Sequence, residues 1–333
     1  MMCSPRRVRP LAVALAALLP LALASCSGTD NSASDSAQGD CPTEPVNVVV
    51  SVDQWGSIVS QLGGACANVT TVLASSSVDP HDYEPAPSDA VAFEGAQMVV
   101  LNGGHYDEWA AKLAETSAPD AAVINAVELA GHEAHEDEGH EEAGHDHAGE
   151  HGHEHGEANP HVWYNPTAVN GVSDAVTAEL SKLAADGASY FAQRRADFGA
   201  SMKPYDDTIA AIKNGAAGKA YAASESVFDD MAAALGLTNR TPEGYRVAAA
   251  NESEPSPADL DAFLDLLSTR GVDVLIYNTQ TEGSVPEQIR SAAEQAGIPV
   301  VDVTETLPPE AKTFQDWQVA QLDALAKAFD VTT

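Results

Sequence analysis

Short, continuously apolar runs alternate with helical stretches in two separate parts of this chain, and that alternation restricts the fold more than any other feature. In the first part, Val46 to Val52, Val69 to Leu73, Gln97 to Leu101 and Ala121 to Ile124 read as buried strands. Gln54 to Leu62, closed by Gly63-Gly64, then Ser88 to Glu94 and Tyr106 to Glu115 read as the helices between them. In the second part, strands at Ala220 to Ala223, Arg246 to Ala250, Val272 to Tyr277 and Pro299 to Val303 alternate with helices at Val227 to Leu235, Pro257 to Ser268, Ser284 to Gln295 and Thr313 to Phe329. Such alternation implies a parallel sheet covered on both faces. Ligands of these sheets bind outside the carboxyl ends of the strands. A body of roughly 290 residues exceeds one typical core and suits two lobes. The expected fold class is α/β, with two similar lobes, each a parallel sheet flanked by helices. Between them, Asn165-Pro166 caps a helix running to Leu183, and Ser189 to Lys213 forms another, interrupted only by Pro204. Tyr190, Phe191, Phe198, Met202, Tyr205 and Ile209 leave the latter half buried along its length, as suits a connector.

At the start, Arg6, Arg7 and Arg9 precede a short apolar run from Leu11 to Ala24 that ends in Leu23-Ala24-Ser25-Cys26. This is the pattern of a secretory signal, too short for a comfortable transmembrane helix. The cysteine at the cut site resembles a bacterial lipobox, which makes Cys26 the acylated first residue. The expected division is a signal peptide at 1–25, a lipid-anchored tether at 26–43, an amino-terminal lobe at 44–188, a connecting helix at 189–214 and a carboxyl-terminal lobe at 215–333. Removing residues 1–25 takes three arginines and no acid, moving the formal charge from -34 to -37. A chain this acidic excludes electrostatic binding to nucleic acid or to an anionic bilayer, and concentrates cations. Beyond Cys3 and Cys26, only Cys41 and Cys66 remain. In an oxidising exterior they read as a disulfide, with a zinc pair as the alternative despite the lack of a local CxxC.

Nine of the eleven histidines fall between Gly131 and Pro166. From His132 to Glu157 the residues are histidine, acid, glycine and alanine without apolar periodicity, the composition of a mobile loop over 131–158. Imidazole holds divalent transition metals, so His132, His135, His140, His145, His147, His151, His153 and His155 read as accessory, metal-collecting groups. His161 differs: Val162-Trp163-Tyr164 and the Asn165-Pro166 cap place it at an ordered turn before a helix.

DPHDYEPAPSD at Asp79 to Asp89, NPHVWYNP at Asn159 to Pro166, the His/acid loop between them and the lipobox together resemble the solute-binding lipoproteins of zinc and manganese ABC importers. The resemblance covers essentially the whole mature chain. It implies two α/β lobes joined by one long helix, with one divalent ion in the cleft. It places two metal ligands at His81 and His161, a third at Glu225 in AYAASESVFDDM and a fourth at Glu305 in VTETLP, with Asp302 the near alternative. Asp79, Asn159 and Asn278 are candidates for holding the imidazoles in the right tautomer. His105, in NGGHYDEW, starts a helix and is the weaker histidine.

Two imidazoles and two carboxylates leave a bound dication electrically neutral, which eases its desolvation. The carboxylates shift the set toward manganese, whereas the Irving-Williams order and the histidine-rich loop favour zinc, the expected cargo. The implied partner is the membrane permease of an ABC importer, with the protein exported, held as a monomer on the outer face of the cytoplasmic membrane through Cys26. No HExxH, GxSxG or Gly-rich P-loop is present, so an enzyme is not expected. A manganese or mixed-metal binder of the same family and a surface adhesin with a structural metal are the alternatives.

Overall fold

The computed structural model describes residues 41–74, 81, 83–136, 159–251, 253–281 and 283–333, with the backbone alone at 132–136. The expected signal peptide, Cys26, the tether up to residue 40, Asp79, and His140, His145, His147, His151, His153 and His155 lie outside the described residues.

In the first lobe, β1 (Val46–Val52) is buried at every position but Asn47 and takes the centre of a sheet. With β2 (Ala67–Leu73), β3 (Met98–Leu101) and β4 (Ala122–Asn125) it forms an all-parallel sheet of order β2-β1-β3-β4. Helices α1 (Asp53–Gly63), α2 (Pro87–Phe93), α3 (Glu108–Ser117), α4 (Ala126–Glu136) and α5 (Pro166–Leu183) accompany it. Helix α1 lies so close to β2 that a Cβ at Gly56 would fall 2.2 Å from Thr71 Oγ1, which is why only glycine fits there. Cys41 and Cys66 are joined by a disulfide just ahead of β1 and β2. Helix α4 corrects the expectation of a loop from residue 131. Asn125 Oδ1 accepts the Glu128 N–H at 3.2 Å and caps this helix, and alanine, leucine and glutamate carry it on through His132 and His135 to Glu136.

The connector is two helices in series, α6 (Ala188–Ser201) and α7 (Lys203–Gly215), meeting at Met202. Pro204 lacks the N–H that a continuous helix requires, so the hydrogen-bond ladder breaks one turn earlier. Helix α6 packs on α1 and α5 of the first lobe; α7 packs on the second.

The second lobe repeats the plan. Strands β5 (Ala220–Ala223), β6 (Thr238–Asn239), β7 (Val274–Asn278) and β8 (Val300–Val303) pair in parallel in the order β6-β5-β7-β8. Helices α8 (Asp229–Leu235), α9 (Glu243–Ala250), α10 (Pro257–Ser268), α11 (Ser284–Ala296) and α12 (Phe314–Ala328) surround the sheet. Arg246 to Ala250, expected as a strand, is the body of α9, and the edge strand is the two-residue β6 instead. A short apolar run cannot separate strand from helix by periodicity, and three consecutive alanines favour the helix. Among the described residues no helix is long and apolar enough to cross a membrane.

The two lobes share one continuous apolar core. At its middle, Tyr164 meets Phe228 at 5.3 Å and Trp317 at 5.8 Å between ring centres. Alongside it runs a polar stripe on α1. Asp53, Ser57 and Gln61, four residues apart, accept or exchange hydrogen bonds with Leu307 N, Phe314 N and the Gln315 amide.

Burial pushes the Asp53 carboxyl up from 3.8 to about 6, against the N–H groups of Leu307 and Gln54 that favour its charge. The native state therefore holds this proton more tightly than the unfolded chain, and the contribution of Asp53 to stability falls as pH rises from about 4 to about 6. Two units correspond to about 3 kcal/mol. Asp53→Asn keeps an acceptor for Leu307 and removes the titration. In urea unfolding of the metal-free protein, the variant should gain about 2–3 kcal/mol on its parent between pH about 4 and pH about 7. A pH-independent difference would show that Asp53 does not titrate in this window.

Candidate metal centre

Three of the four groups of the centre follow the carboxyl end of a strand, and His161 enters from the segment ahead of α5. His81 follows β2, His161 precedes a short 3-10 turn over Val162–Tyr164, Glu225 follows β5, and Glu305 follows β8. Three of the four converge. His81 Nε2 and His161 Nε2 are 3.4 Å apart, and Glu305 Oε2 stands 3.5 Å from the first and 3.7 Å from the second. An ion in the plane of such a triangle lies about 2.0 Å from all three atoms, and zinc bonds to nitrogen and carboxylate oxygen fall at about 2.0–2.2 Å. The donors are thus spaced for a small dication before any ion arrives.

The surroundings fix how each donor presents itself. Asn159 Nδ2 donates to the Ser226 carbonyl at 3.0 Å, which turns Asn159 Oδ1 toward His161, 2.7 Å from Nδ1. His161 must then carry its proton on Nδ1, leaving the Nε2 lone pair for a metal. The His161 ring meets Trp163 edge-on at 5.3 Å, and the His81 ring meets Tyr106 at 4.9 Å. Pro160, just before His161, is held through its carbonyl by Asn102 Nδ2 at 2.8 Å, and Asn102 Oδ1 accepts from Trp55 Nε1 at 3.0 Å. The loop after β3 that carries Asn102 turns through Gly103 at φ 81°, where a Cβ would meet the Asn125 side chain. That turn brings the Asn102 and Gly103 N–H groups onto the Asp107 carboxylate at 2.7 and 2.8 Å.

Glu305 is 1 % exposed, and burial works to raise its pKa. The neighbouring His161 and His81 outweigh burial and hold the carboxyl well below the usual range. One oxygen, Oε1, accepts from Asn278 Nδ2 at 2.8 Å; Oε2, the one facing both histidines, accepts no hydrogen bond among the described residues. A buried anionic oxygen left in that state, between two imidazole nitrogens, is arranged for a cation. Burial and the Glu305 charge instead raise the pKa of Glu225, whose carboxylate takes a hydrogen bond from Thr281 Oγ1.

The family of zinc-uptake complex component A, periplasmic, matches residues 48–328. The chain belongs to this family. It is 25 % identical over 314 residues to the high-affinity zinc uptake system protein ZnuA of Bacillus subtilis, covering 93 % of this chain and 92 % of that one. The zinc-binding lipoprotein AdcA of Streptococcus pneumoniae is 23 % identical over 328 residues, which span 98 % of this chain but 61 % of the longer relative. A crystal structure of ZnuA superposes with a TM-score of 0.65 at 21 % identity, covering 87 % of this chain and all of that one, so the two share a fold.

Within this zinc-uptake component the residues singled out from sequence separate clearly. His81, His161 and Glu305 form the close group, whereas Glu225 stands outside it, within electrostatic reach of Glu305 and His161. Asp302 points away and pairs with Arg290 at 2.6 Å on the exposed side of β8. His105, 68 % exposed, pairs with Glu108. Asn159 does orient an imidazole; Asn278, named for the same task, grips Glu305 instead. Tyr106, Gln280 and Thr281 carry no motif of their own and become visible only through the fold.

Proposed function

We propose that this protein captures zinc outside the cytoplasm and delivers it to the membrane permease of an ABC importer. The observation that carries this reading is the triangle of His81, His161 and Glu305 donors, already at zinc spacing with one carboxylate oxygen unpaired. Glu225 is the fourth ligand, so that two imidazoles and two carboxylates surround the ion and cancel its charge. His132, His135 and the histidines beyond them gather zinc and pass it inward, while acylated Cys26 keeps the monomeric protein on the outer face of the membrane. No turnover is involved: the ion is cargo, bound and released. Manganese, alone or with zinc, is the second reading, and the two carboxylates favour it.

The continuous apolar seam limits the motion that accompanies capture. A fully buried phenylalanine-sized side chain contributes about 1.5–3 kcal/mol, so wide separation of Tyr164, Phe228 and Trp317 would cost several kcal/mol. Small lobe adjustment with ordering of the Glu225 side is the mode this seam permits.

Competitive titration of the metal-free protein with Zn²⁺ and Mn²⁺, intact and lacking residues 132–157, tests the reading. One tight zinc ion should remain after the deletion, with a lower total zinc stoichiometry. Loss of the tight ion on deletion, or its displacement by equimolar manganese, would overturn it.

A further inference from the structure

The residue that holds Glu305 does more than position it. Resting on the zinc-capture reading of the same centre, we infer that Asn278 determines metal specificity: by occupying Oε1 of Glu305 it makes that carboxylate a one-oxygen donor and keeps the centre at four ligands.

The orientation of the Asn278 amide is fixed by its other partner. Gln280 N–H donates to Asn278 Oδ1 at 3.1 Å, so the opposite edge, the Nδ2 group, must face Glu305. Asn278 is 1 % exposed, and its own N–H is tied to Ser224 Oγ at 3.1 Å, so the amide cannot swing away without breaking a buried network. The loop that follows β7 also grips the backbone of its target. Gln280 Oε1 accepts from Glu305 N at 2.8 Å and Thr306 N at 3.1 Å. Glu305 is thus held at both ends, and only Oε2 is offered to the histidines. Thr281, in the same loop, places its hydroxyl on Oε1 of Glu225 in the same manner. One loop therefore occupies one oxygen on each of the two carboxylates.

Coordination number follows from this arrangement. Zinc is satisfied by four ligands in a tetrahedron, whereas manganese takes six with oxygen donors and gains from bidentate carboxylates. With Oε1 held by a buried amide, chelation must use its second lone pair in a geometry the Asn278 bond also constrains, which favours binding through Oε2 alone and leaves a larger dication short of ligands. Freeing Glu305 Oε1 lets the same carboxylate chelate and raises the count.

The test uses the full chain as wild type, Asn278→Leu, which keeps the branched shape, and Asn278→Ala, with Zn²⁺ and Mn²⁺ competition and the visible spectrum of the Co²⁺-loaded protein. Either folded variant should lower the zinc-over-manganese preference by at least about tenfold, the scale on which groups behind a metal ligand act. Intense tetrahedral Co²⁺ bands are expected for the wild type and should weaken in parallel in the variants. A folded variant that keeps both the preference and the bands overturns the inference and leaves zinc capture standing. X-ray absorption on zinc-loaded wild type decides the matter without any variant: four light-atom neighbours are expected, and five or six would overturn the inference. A wild-type protein that holds no tight zinc would defeat the capture reading itself.

Discussion

Replacing His161 with alanine, or Glu305 with glutamine, lowers zinc affinity at least about a thousandfold, equivalent to about 4 kcal/mol. His161 contributes a nitrogen whose lone pair is already aimed, through the Asn159 bond to Nδ1, and alanine leaves two of the three close donors and a cavity in its place. The Glu305→Gln change is nearly isosteric but removes the one full negative charge facing the histidines. It also gives the Asn278 amide a partner that satisfies it only by turning its own NH₂ toward the ion. Glu225→Gln should cost far less, on the order of tenfold. Its carboxylate is engaged by Thr281, so zinc must compete there with a hydrogen bond, and burial and the Glu305 charge raise its pKa. Competition against a chromophoric chelator at fixed pH measures all three. A Glu225→Gln loss as large as the other two would mean that the Thr281 bond does not weaken this fourth ligand.

The difference between these residues was unevenly legible in the sequence. His81 and His161 stand in dense local motifs, and a histidine flanked by proline, tryptophan and a helix cap has few other reasons to be there. Glu305 and Asp302 look interchangeable in VDVTETLP, yet the period of a strand separates them. Along β8 the burial runs intermediate, buried, exposed, buried, so Asp302 faces solvent and Arg290 while the chain leaves the sheet edge toward the cleft at Glu305. Alternation of that kind is visible from residues alone once a strand's register is known. The grip of Asn278, Gln280 and Thr281 is not, because those residues touch Glu305 and Glu225 across separate strands and no spacing in the chain encodes the contact. The parallel α/β plan was legible because two sets of apolar runs repeat it. The failures fell where apolar and helical patterns overlap: the alanines of α9 read as a strand, and the start of the histidine-rich segment read as loop although Asn125 had already capped a helix into it.

The same topology sets the second large effect, on stability instead of binding. Cys41 and Cys66 close a loop of 25 residues, for which the chain-entropy relation gives about 3.5 kcal/mol at 25 °C. Both cysteines lie ahead of their strands, at the amino ends of β1 and β2, whereas His81 lies past the carboxyl end of β2 and Glu225 and Glu305 past those of β5 and β8. Seven residues of strand put about 20 Å between the two ends, and no hydrogen bond on the α1 stripe to Leu307, Phe314 and Gln315 passes through the bridge. The C41A/C66A protein should therefore lose about 3.5 kcal/mol in denaturant unfolding while its zinc dissociation constant stays within about threefold of the parent. Zinc adds the same increment to both, about 4 kcal/mol when free zinc exceeds the dissociation constant a thousandfold, so the gap between them should be equal in the metal-free and zinc-loaded states. A gap that closes or widens on loading would mean that strain at the amino ends of the strands is transmitted through α1 to the loop carrying Glu305, and that the two lobes are coupled through the sheet as well as through the ion.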